Sequence, residues 1–427
     1  MRALVLEGAN QPFELMDVPD PVAGPGEAVA KVYACGAGLT IQHVKAGRMT
    51  AKFPRIIGHE ITAEIVEVGQ GVTSLEVGDG VTSYYYINCG HCRRCLSGFE
   101  PLCENSGGNV GKDCDGGYAE YIKLPAHLFV KFPAGIDYKK HPAEMGVAMD
   151  ALATPYKVLS RGRVQAGETV AVFGAGGGVG IHQVMMAKWA RARVIAVDVA
   201  ESKFDACREA GADAVINPAK VDAVEALMDL TDGQGVDVAI DYVSHTSTLE
   251  TACKSLGHHG RMVTLGGAGE SFNADSLAML LKEQDLLGSR YVTRAELLAT
   301  YDLIARGDVW PIVSDIRPLE EAEAVHELVE KGEITLIDIR DIRELEKEGR
   351  VENSVHIPRG MLEFWIDPNS QYFKEGKLNL EKEMVLFCAA GARSALAAKS
   401  LKDMGFEKVS HIEGGFGSMK QSGFKIK

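Results

Sequence analysis

Over residues 1 to about 150, short β-rich runs are punctuated by glycine and proline, as in Ala28-Val-Ala-Lys-Val-Tyr-Ala and Thr62-Ala-Glu-Ile-Val-Glu-Val-Gly. Alternating apolar and polar positions in segments of this length predict a small antiparallel, barrel-like domain rather than a helical one. Near Pro155 the pattern changes. Apolar runs such as Val170-Ala-Val-Phe, Arg193-Val-Ile-Ala-Val, Val236-Asp-Val-Ala-Ile-Asp and Arg261-Met-Val-Thr-Leu-Gly-Gly alternate with helix-period segments to about residue 290. That order predicts a parallel sheet with helices on both faces. Two more helical stretches are expected near Ala295 to Ala305 and Leu319 to Lys331. A third region opens at Leu336-Ile-Asp-Ile-Arg and has strands of its own, such as Met384-Val-Leu-Phe, and helices of its own. No internal repeat or low-complexity linker precedes it, so any hinge near Gly332 is short.

Composition narrows the class. A chain of 427 residues is too long for one core when domains run to about 100–200 residues. Hydrophobic content of 46% with 24% charged residues is ordinary for a soluble globular protein. A net charge of -14 with no basic block argues against a nucleic-acid surface. Met1-Arg-Ala-Leu-Val-Leu-Glu meets an acid at position 7 and no long apolar run follows, so neither a signal peptide nor a membrane partner is expected. A cytoplasmic protein is the expectation. Of nine cysteines, four stand in one tight array and the rest are scattered, which fits metal ligation plus isolated thiols in a reducing compartment.

After the apolar run ending at Phe173, five glycines occupy seven positions: Gly174, Gly176, Gly177, Gly178 and Gly180, with Val179 among them. Helix periodicity follows at once from Ile181. Strand, bare turn and helix in that order let the backbone close on a pyrophosphate, whose charge meets the unpaired N–H groups of the helix N-terminus. The spacing is one residue longer than G-x-G-x-x-G. The next strand ends in Asp198, a carboxylate placed to take both ribose hydroxyls and to repel a 2′-phosphate, so NAD is expected over NADP.

The tight array is Cys89-x2-Cys92-x2-Cys95-x7-Cys103. Four thiolates so close in sequence predict a closed tetrahedral zinc shell, with no position left for a substrate, and hence a structural metal. Between the β-rich runs lies Gly58-His59-Glu60, on a turn after Pro54-Arg-Ile-Ile.

Together these motifs, in this order, resemble the medium-chain zinc alcohol dehydrogenase family over roughly residues 1–331. The resemblance implies a GroES-like catalytic domain from residues 1–154 and about 290–331, with a Rossmann NAD-binding domain at 155–289. It implies hydride transfer between an alcohol or carbonyl substrate and NAD, and extends the cofactor contacts to Lys203 and Arg294. It also implies a catalytic zinc held by a cysteine of the first stretch, the histidine of G-H-E and a later cysteine or acid, with a hydroxyl and a histidine relaying the alcohol proton. Here the first stretch reads Cys35-Gly-Ala-Gly38-Leu-Thr40-Ile-Gln-His43, so Gly38 stands where the ligand cysteine is expected. His59, Glu60 and Asp150 remain, as do Thr40 and His43 for the relay. Two readings stay open: a metal held by His59, Asp150 and Glu60 or His43, or a site without metal. Cys35 reads as a buried small residue. Asp150-Ala-Leu-Ala-Thr-Pro-Tyr, with the glycine-rich turn and Ile195-Ala-Val-Asp, is similar to the branch of the family that oxidises hydroxycyclohexene-carbonyl-CoA thioesters.

In the third region, Cys388-Ala-Ala-Gly391-Ala-Arg393-Ser394 follows a buried strand and leads into a helix. Aligned N–H groups and the arginine favour a thiolate there. The segment resembles the rhodanese (sulfurtransferase) active loop. Leu336-Ile-Asp338-Ile-Arg340, Glu344 and His356-Ile-Pro-Arg-Gly360 carry the likeness over about residues 333–427. It implies that Cys388 takes a sulfane sulfur from a donor and passes it to a thiol acceptor, with Arg393 beside it. Four residues separate Cys388 from Arg393, where related phosphatases have five, and this favours sulfur over phosphate. Lys331-Gly-Glu-Ile-Thr runs straight into this region, where the dehydrogenase family usually adds a returning strand. The chain is thus expected to be a three-part α/β protein, a homo-oligomer with two chemistries. The competing reading is a nucleotide- and redox-sensing or docking module with a degenerate metal site.

Overall fold

A computed structural model describes the chain except at residues 267–269, 323–333, 352–353, 368–369, 371–377, 379–382, 407–408, 413–414 and 422–427. Two units result, Met1–Glu323 and Ala324–Lys427.

The first unit opens with β1 (Arg2–Leu6), β2 (Phe13–Asp17), β3 (Glu27–Cys35), β4 (Arg55–Ile56), β5 (Ile61–Val68), β6 (Gly80–Ser83), β7 (Tyr121–Pro125) and β8 (Phe129–Lys131). All pairings among them are antiparallel, in a sheet of order β2-β1-β4 and a second of order β7-β3-β5-β6-β8. Ala28, Ala30, Ile61, Ala63, Ile65, Ile122 and Leu124 form the inward face, the alternation that the β-rich runs predict. A turn between β4 and β5 carries His59 and Glu60, and Gly58 at φ +103 makes it: a Cβ there would lie 2.7 Å from Cys35 Sγ and 2.8 Å from Tyr118.

Then come β9 (Thr169–Phe173), β10 (Arg193–Val197), β11 (Ala214–Ile216), β12 (Val236–Asp241), β13 (Leu256–Thr264) and β14 (Asp285–Gly288), six parallel strands ordered β11-β10-β9-β12-β13-β14. Val170, Ala171 and Val172 are wholly buried, as a strand covered on both faces requires. The strand order reverses between β9 and β12, and ligands of such sheets bind in the crevice outside the strand ends at that switch point. One buried cluster runs from Tyr84, Tyr85 and Tyr86 through Met149 and Leu152 to Val170, Val172 and Val238, so the β-rich part and the parallel sheet share a core. The expected helix near Ala295 to Ala305 is Arg294–Arg306, held by a Thr293–Glu296 capping box. The stretch expected near Leu319 to Lys331 has a 3-10 turn at Leu319–Glu321; from residue 323 it lies outside the described residues.

The second unit contains β15 (Ile334–Asp338), β16 (Val355–His356), β17 (Glu383–Phe387) and β18 (Val409–His411), parallel in the order β16-β15-β17-β18. Its core includes Ile337, Ile357, Leu362, Leu386, Ala397 and Leu401. Arg340 is wholly buried against Asp338 at 2.7 Å and lies 3.8 Å over the Phe416 ring, so its charge is both paired and faced by an aromatic ring.

Candidate functional sites

The glycine-rich turn joins β9 to the helix Gly178–Trp189. Gly174 has φ +73, and a Cβ on Gly180 would stand 2.0 Å from Gly174 O, so neither position admits another residue without backbone movement. A Cβ on Gly176 would meet Lys203 Cβ at 2.7 Å and Asp198 Oδ2 at 3.1 Å. Turn, acid and lysine therefore converge. Asp198 accepts the Gly176 amide at 2.7 Å on one carboxylate oxygen and the Ala200 amide at 2.8 Å on the other. These bonds fix the carboxylate and leave each oxygen room for a hydroxyl donor. His182 pins the helix: Ile312 N–H donates to Nε2 at 2.8 Å and Nδ1 donates to Gly178 O at 2.6 Å, the neutral tautomer, and burial lowers the ring's pKa accordingly. The residues fit a dinucleotide, because backbone can approach closely where any Cβ would intervene. Arg294, the last of the expected cofactor contacts, begins the helix Arg294–Arg306. Its guanidinium donates to His127 O and lies 5.0 Å over the Tyr84 ring, contacts in the β-rich part rather than with the turn.

Cys89, Cys92, Cys95 and Cys103 bring their sulfurs within 4.8 Å of one another. Cys92 Sγ is 3.5 Å from Cys95 Sγ and 3.9 Å from Cys103 Sγ. Four sulfurs held at about 2.3 Å from one tetrahedral ion lie about 3.8 Å apart, so the lobe has the dimensions of a zinc shell. Amides of Cys89 and Cys92 donate to Cys103 Sγ and Cys89 Sγ, each at 3.3 Å, the outer contacts that orient thiolate ligands.

His59 is buried, its backbone oxygen accepting from Ser83 Oγ at 3.0 Å and its Nε2 lying 3.3 Å from Asp150 Oδ2. Asp150 sits on a π-helical turn, Ala148–Leu152, between two α-helices. Such turns add a residue to a helix and redirect a side chain, a device frequent at functional sites. Thr154 Oγ1 donates to Asp150 Oδ1 at 2.7 Å. Glu60 is buried beside them. Desolvation, reinforced by the Asp150 charge and opposed by the Ala151 amide, pushes its carboxyl well above the ordinary range. Its Oε2 fills the space over the first stretch: a Cβ would lie 2.0 Å away on Gly36 and 3.3 Å away on Gly38. The Cys35 thiol is packed among Gly58, Gly117 and Tyr118. Thr40 and His43 lie three residues apart on the helix Leu39–Lys45, and hence on one face. A thiolate-containing catalytic zinc site does not fit this donor set. Gly38 offers no ligand, and among the described residues the four cysteines are the only group of three or more such donors gathered within 4.8 Å.

Cys388 directly follows β17, with its side chain buried. Gly391 N donates to its Sγ at 3.2 Å and Ser394 Oγ lies 3.6 Å away. Burial opposes ionisation, yet the Ser394 hydroxyl and the amides of Ser394, Ala390 and Gly391 bring the thiol below its ordinary value. Arg393 donates to both oxygens of Glu344, at 2.7 and 2.6 Å, and this pairing holds the Glu344 carboxyl at about 2. Gly415, at φ +56, must be bare: a Cβ there would fall 2.1 Å from Cys388 O. Phe416 N and Gly417 N then take Cys388 O and Ala389 O at 2.7 and 3.2 Å, which fixes the loop from below.

Sequence reasoning passed over Tyr85, whose ring lies 4.5 Å from that of His59, and Tyr291, whose hydroxyl donates to Met149 O on the π-turn at 3.1 Å. Thr154 was visible only as part of a segment, and the run Cys35-Gly-Ala-Gly was the one hint that something bulky fills the space opposite.

Comparison with known proteins agrees with this geometry. Residues 24–134 match the alcohol dehydrogenase GroES-like domain, 178–306 the zinc-binding dehydrogenase family and 321–422 the rhodanese-like domain. An alcohol dehydrogenase of Geobacillus stearothermophilus is 36% identical over 337 residues, 78% of this chain and 97% of that protein. An NAD-dependent alcohol dehydrogenase of Sulfurisphaera tokodaii is 31% identical over 342 residues, 77% of this chain and 96% of that one. The crystal structure of the Aeropyrum pernix alcohol dehydrogenase superposes with a TM-score of 0.71 at 32% identity, covering 78% of this chain and 97% of that one. The chain belongs to the medium-chain, zinc-binding alcohol dehydrogenase family and carries a C-terminal rhodanese-like domain. It is an oxidoreductase of that type, and the family implies zinc and NAD(H). Among the described residues no helix is long and apolar enough to cross a membrane.

Proposed function

We propose that the first unit is a cytoplasmic, NAD-dependent dehydrogenase of a secondary alcohol or hydroxyacyl thioester, CoA thioesters included, and that the rhodanese-like domain is a sulfurtransferase with a persulfide-forming cysteine. The domains on this reading are 1–154 with about 290–331, 155–289 and 333–427. The observation that carries the cofactor choice is the Asp198 carboxylate, fixed at the rim of the bare glycine turn by two amides. NAD, when bound, accepts the hydride. The chain's own groups hold the ribose at Asp198, exclude bulk from the phosphate path at Gly176 and Gly180, and take the alcohol proton through Thr40 and His43. His59, Asp150 and Thr154 form a hydrogen-bonded polar group. No step is assigned to a second zinc, because the donor set lacks the thiolate. The zinc of the cysteine lobe is structural.

In the second unit, Cys388 accepts the sulfane sulfur and the loop amides hold the resulting charge. Homo-oligomerisation is supported by edge strand β14 and by Leu277, Leu280 and Leu281 on the nearby helix Ser276–Lys282, 59–72% exposed. The test of the dehydrogenase reading is a screen of NAD⁺ against secondary alcohols and hydroxyacyl thioesters, followed by NADH absorbance. Turnover is expected. No turnover across both classes, with no NADH binding by the purified chain, would overturn it.

A further inference from the structure

Tyr84, Tyr85 and Tyr86 follow β6 directly, and Tyr291 packs among them, its ring centroid 5.5–5.6 Å from all three. Three of these four hydroxyls are bonded within the protein: Tyr84 donates to Val292 O at 2.7 Å, Tyr291 donates to Met149 O at 3.1 Å, and Tyr86 accepts from Arg290 Nε at 2.9 Å. Tyr85 differs. Its ring is 9% exposed and held by those of His59 at 4.5 Å, Tyr86 at 4.9 Å and Tyr291 at 5.6 Å. Yet among the described residues no group bonds its hydroxyl, and that oxygen is not enclosed. The His59 ring that Tyr85 covers reaches Asp150 at 3.3 Å, and the Asp150 side chain is 22% exposed, so the crevice opens on this group. A phenol is protonated throughout the neutral pH range and can donate. Water satisfies it in the open crevice, but a substrate that displaces the water leaves it unpaired unless the substrate brings an acceptor.

We infer that Tyr85 sets substrate choice by donating a hydrogen bond to a second oxygen of the substrate, so that alcohols carrying a carbonyl, the hydroxyacyl class, are preferred over plain secondary alcohols; this rests on reading the first unit as an NAD-dependent dehydrogenase. The reacting oxygen is engaged by Thr40, which takes its proton. A plain alcohol has no other oxygen, so its carbon chain lies against the Tyr85 hydroxyl and the bond to water is lost without replacement. A carbonyl oxygen replaces it. Tyr85 keeps its proton throughout, and the hydride and the alcohol proton go where they go without it. Sites built to bond a substrate group reject the analogue lacking that group far more strongly than sites that only exclude bulk. One neutral hydrogen bond in a partly open crevice gives discrimination on the order of 30-fold in kcat/KM.

The experiment uses the full-length protein with NAD⁺ and two probes, methyl β-hydroxybutyrate and sec-butanol, which present the same reacting carbon with and without a carbonyl oxygen beyond it; kcat and KM are read from NADH absorbance. The hydroxy ester is expected to be preferred on the order of 30-fold in kcat/KM. Tyr85→Phe keeps the ring on His59 and removes the hydroxyl alone, and NADH titration of the variant reports its folding. There the preference is expected to fall to within about threefold, chiefly through a higher KM for the hydroxy ester. A packing role for Tyr85 would move both probes together. An unchanged preference in Tyr85→Phe, or a preference for sec-butanol in the unmodified protein, overturns the inference and leaves the dehydrogenase reading standing. No turnover of either probe by the unmodified protein also overturns the inference, and absence of NADH binding besides overturns the dehydrogenase reading with it.

Discussion

Removing one sulfur from the cysteine lobe separates the two metal positions that the family implies. Cys92 stands 3.5 and 3.9 Å from two partner sulfurs, close to the separation of about 3.8 Å that a tetrahedral zinc–thiolate shell sets. The shell needs no rearrangement to close, and sites of this kind bind with apparent energies on the order of 10 kcal/mol or more, enough to survive purification. The other position has an imidazole and a carboxylate 3.3 Å apart, no thiolate at Gly38, and a Glu60 carboxyl whose pKa burial raises well above its ordinary value. The protein purified without chelator is therefore expected to hold about one zinc per chain by elemental analysis, as one closed four-thiolate shell requires. Cys92→Ser is expected to bring the metal content near zero after dialysis, and His59→Ala to leave it unchanged. Two tightly held equivalents, or an equivalent lost in His59→Ala and kept in Cys92→Ser, would refute the reasoning.

NADH is expected to bind at least about tenfold tighter than NADPH, the effect of one partly screened carboxylate facing a 2′-phosphate, and Asp198→Ala should narrow that ratio; fluorescence titration with both cofactors checks it, and an unchanged ratio counts against the assignment. Cys388→Ser should abolish sulfur transfer, because an alkoxide carries no sulfane sulfur, while NAD-linked turnover is retained; loss of both would refute the independence of the two chemistries. Glu344, held at about 2 against an ordinary 4.5, contributes stability that is fully present above about pH 4.5 and is lost as pH falls toward 2. Acid titration of the C-terminal unit, followed by hydrogen exchange of its amides, should show that dependence reduced in Glu344→Gln.

Motifs whose chemistry needs contiguous backbone were legible in the sequence. The glycine turn, the four-cysteine spacing and the Cys388–Arg393 loop each bring their groups together through local chain geometry, so reading along the chain is nearly reading in space. The parallel sheet was legible for a related reason, since its strands are apolar on both faces. Groups joined by tertiary packing were not. Nothing local says that Tyr85 lies on His59, that Tyr291 takes a carbonyl of the π-turn, or that Arg393 is neutralised by an acid 49 residues earlier.

The replacement at position 38 belongs to this second kind, and its meaning depends on neighbours that sequence order separates. In a site with a thiolate at 38, the anions of that residue, Glu60 and Asp150 face one another and need a cation among them. Here glycine removes one anion outright. Burial and the Asp150 charge push the Glu60 carboxyl well above its ordinary range and so weaken the second. The space is not left empty, because the Glu60 carboxyl packs against Gly36 and Gly38. Asp150, hydrogen-bonded to Thr154, is set against His59, and the loss of the thiolate lowers the site's demand for a divalent ion. Gly38 is thus the one ligand departure in this stretch, with the Glu60 carboxyl beside it. Restoring cysteine at 38 returns that anion beside Glu60 and Asp150, so Gly38→Cys is expected to hold a second zinc by elemental analysis, and no gain of metal in that variant would refute this account.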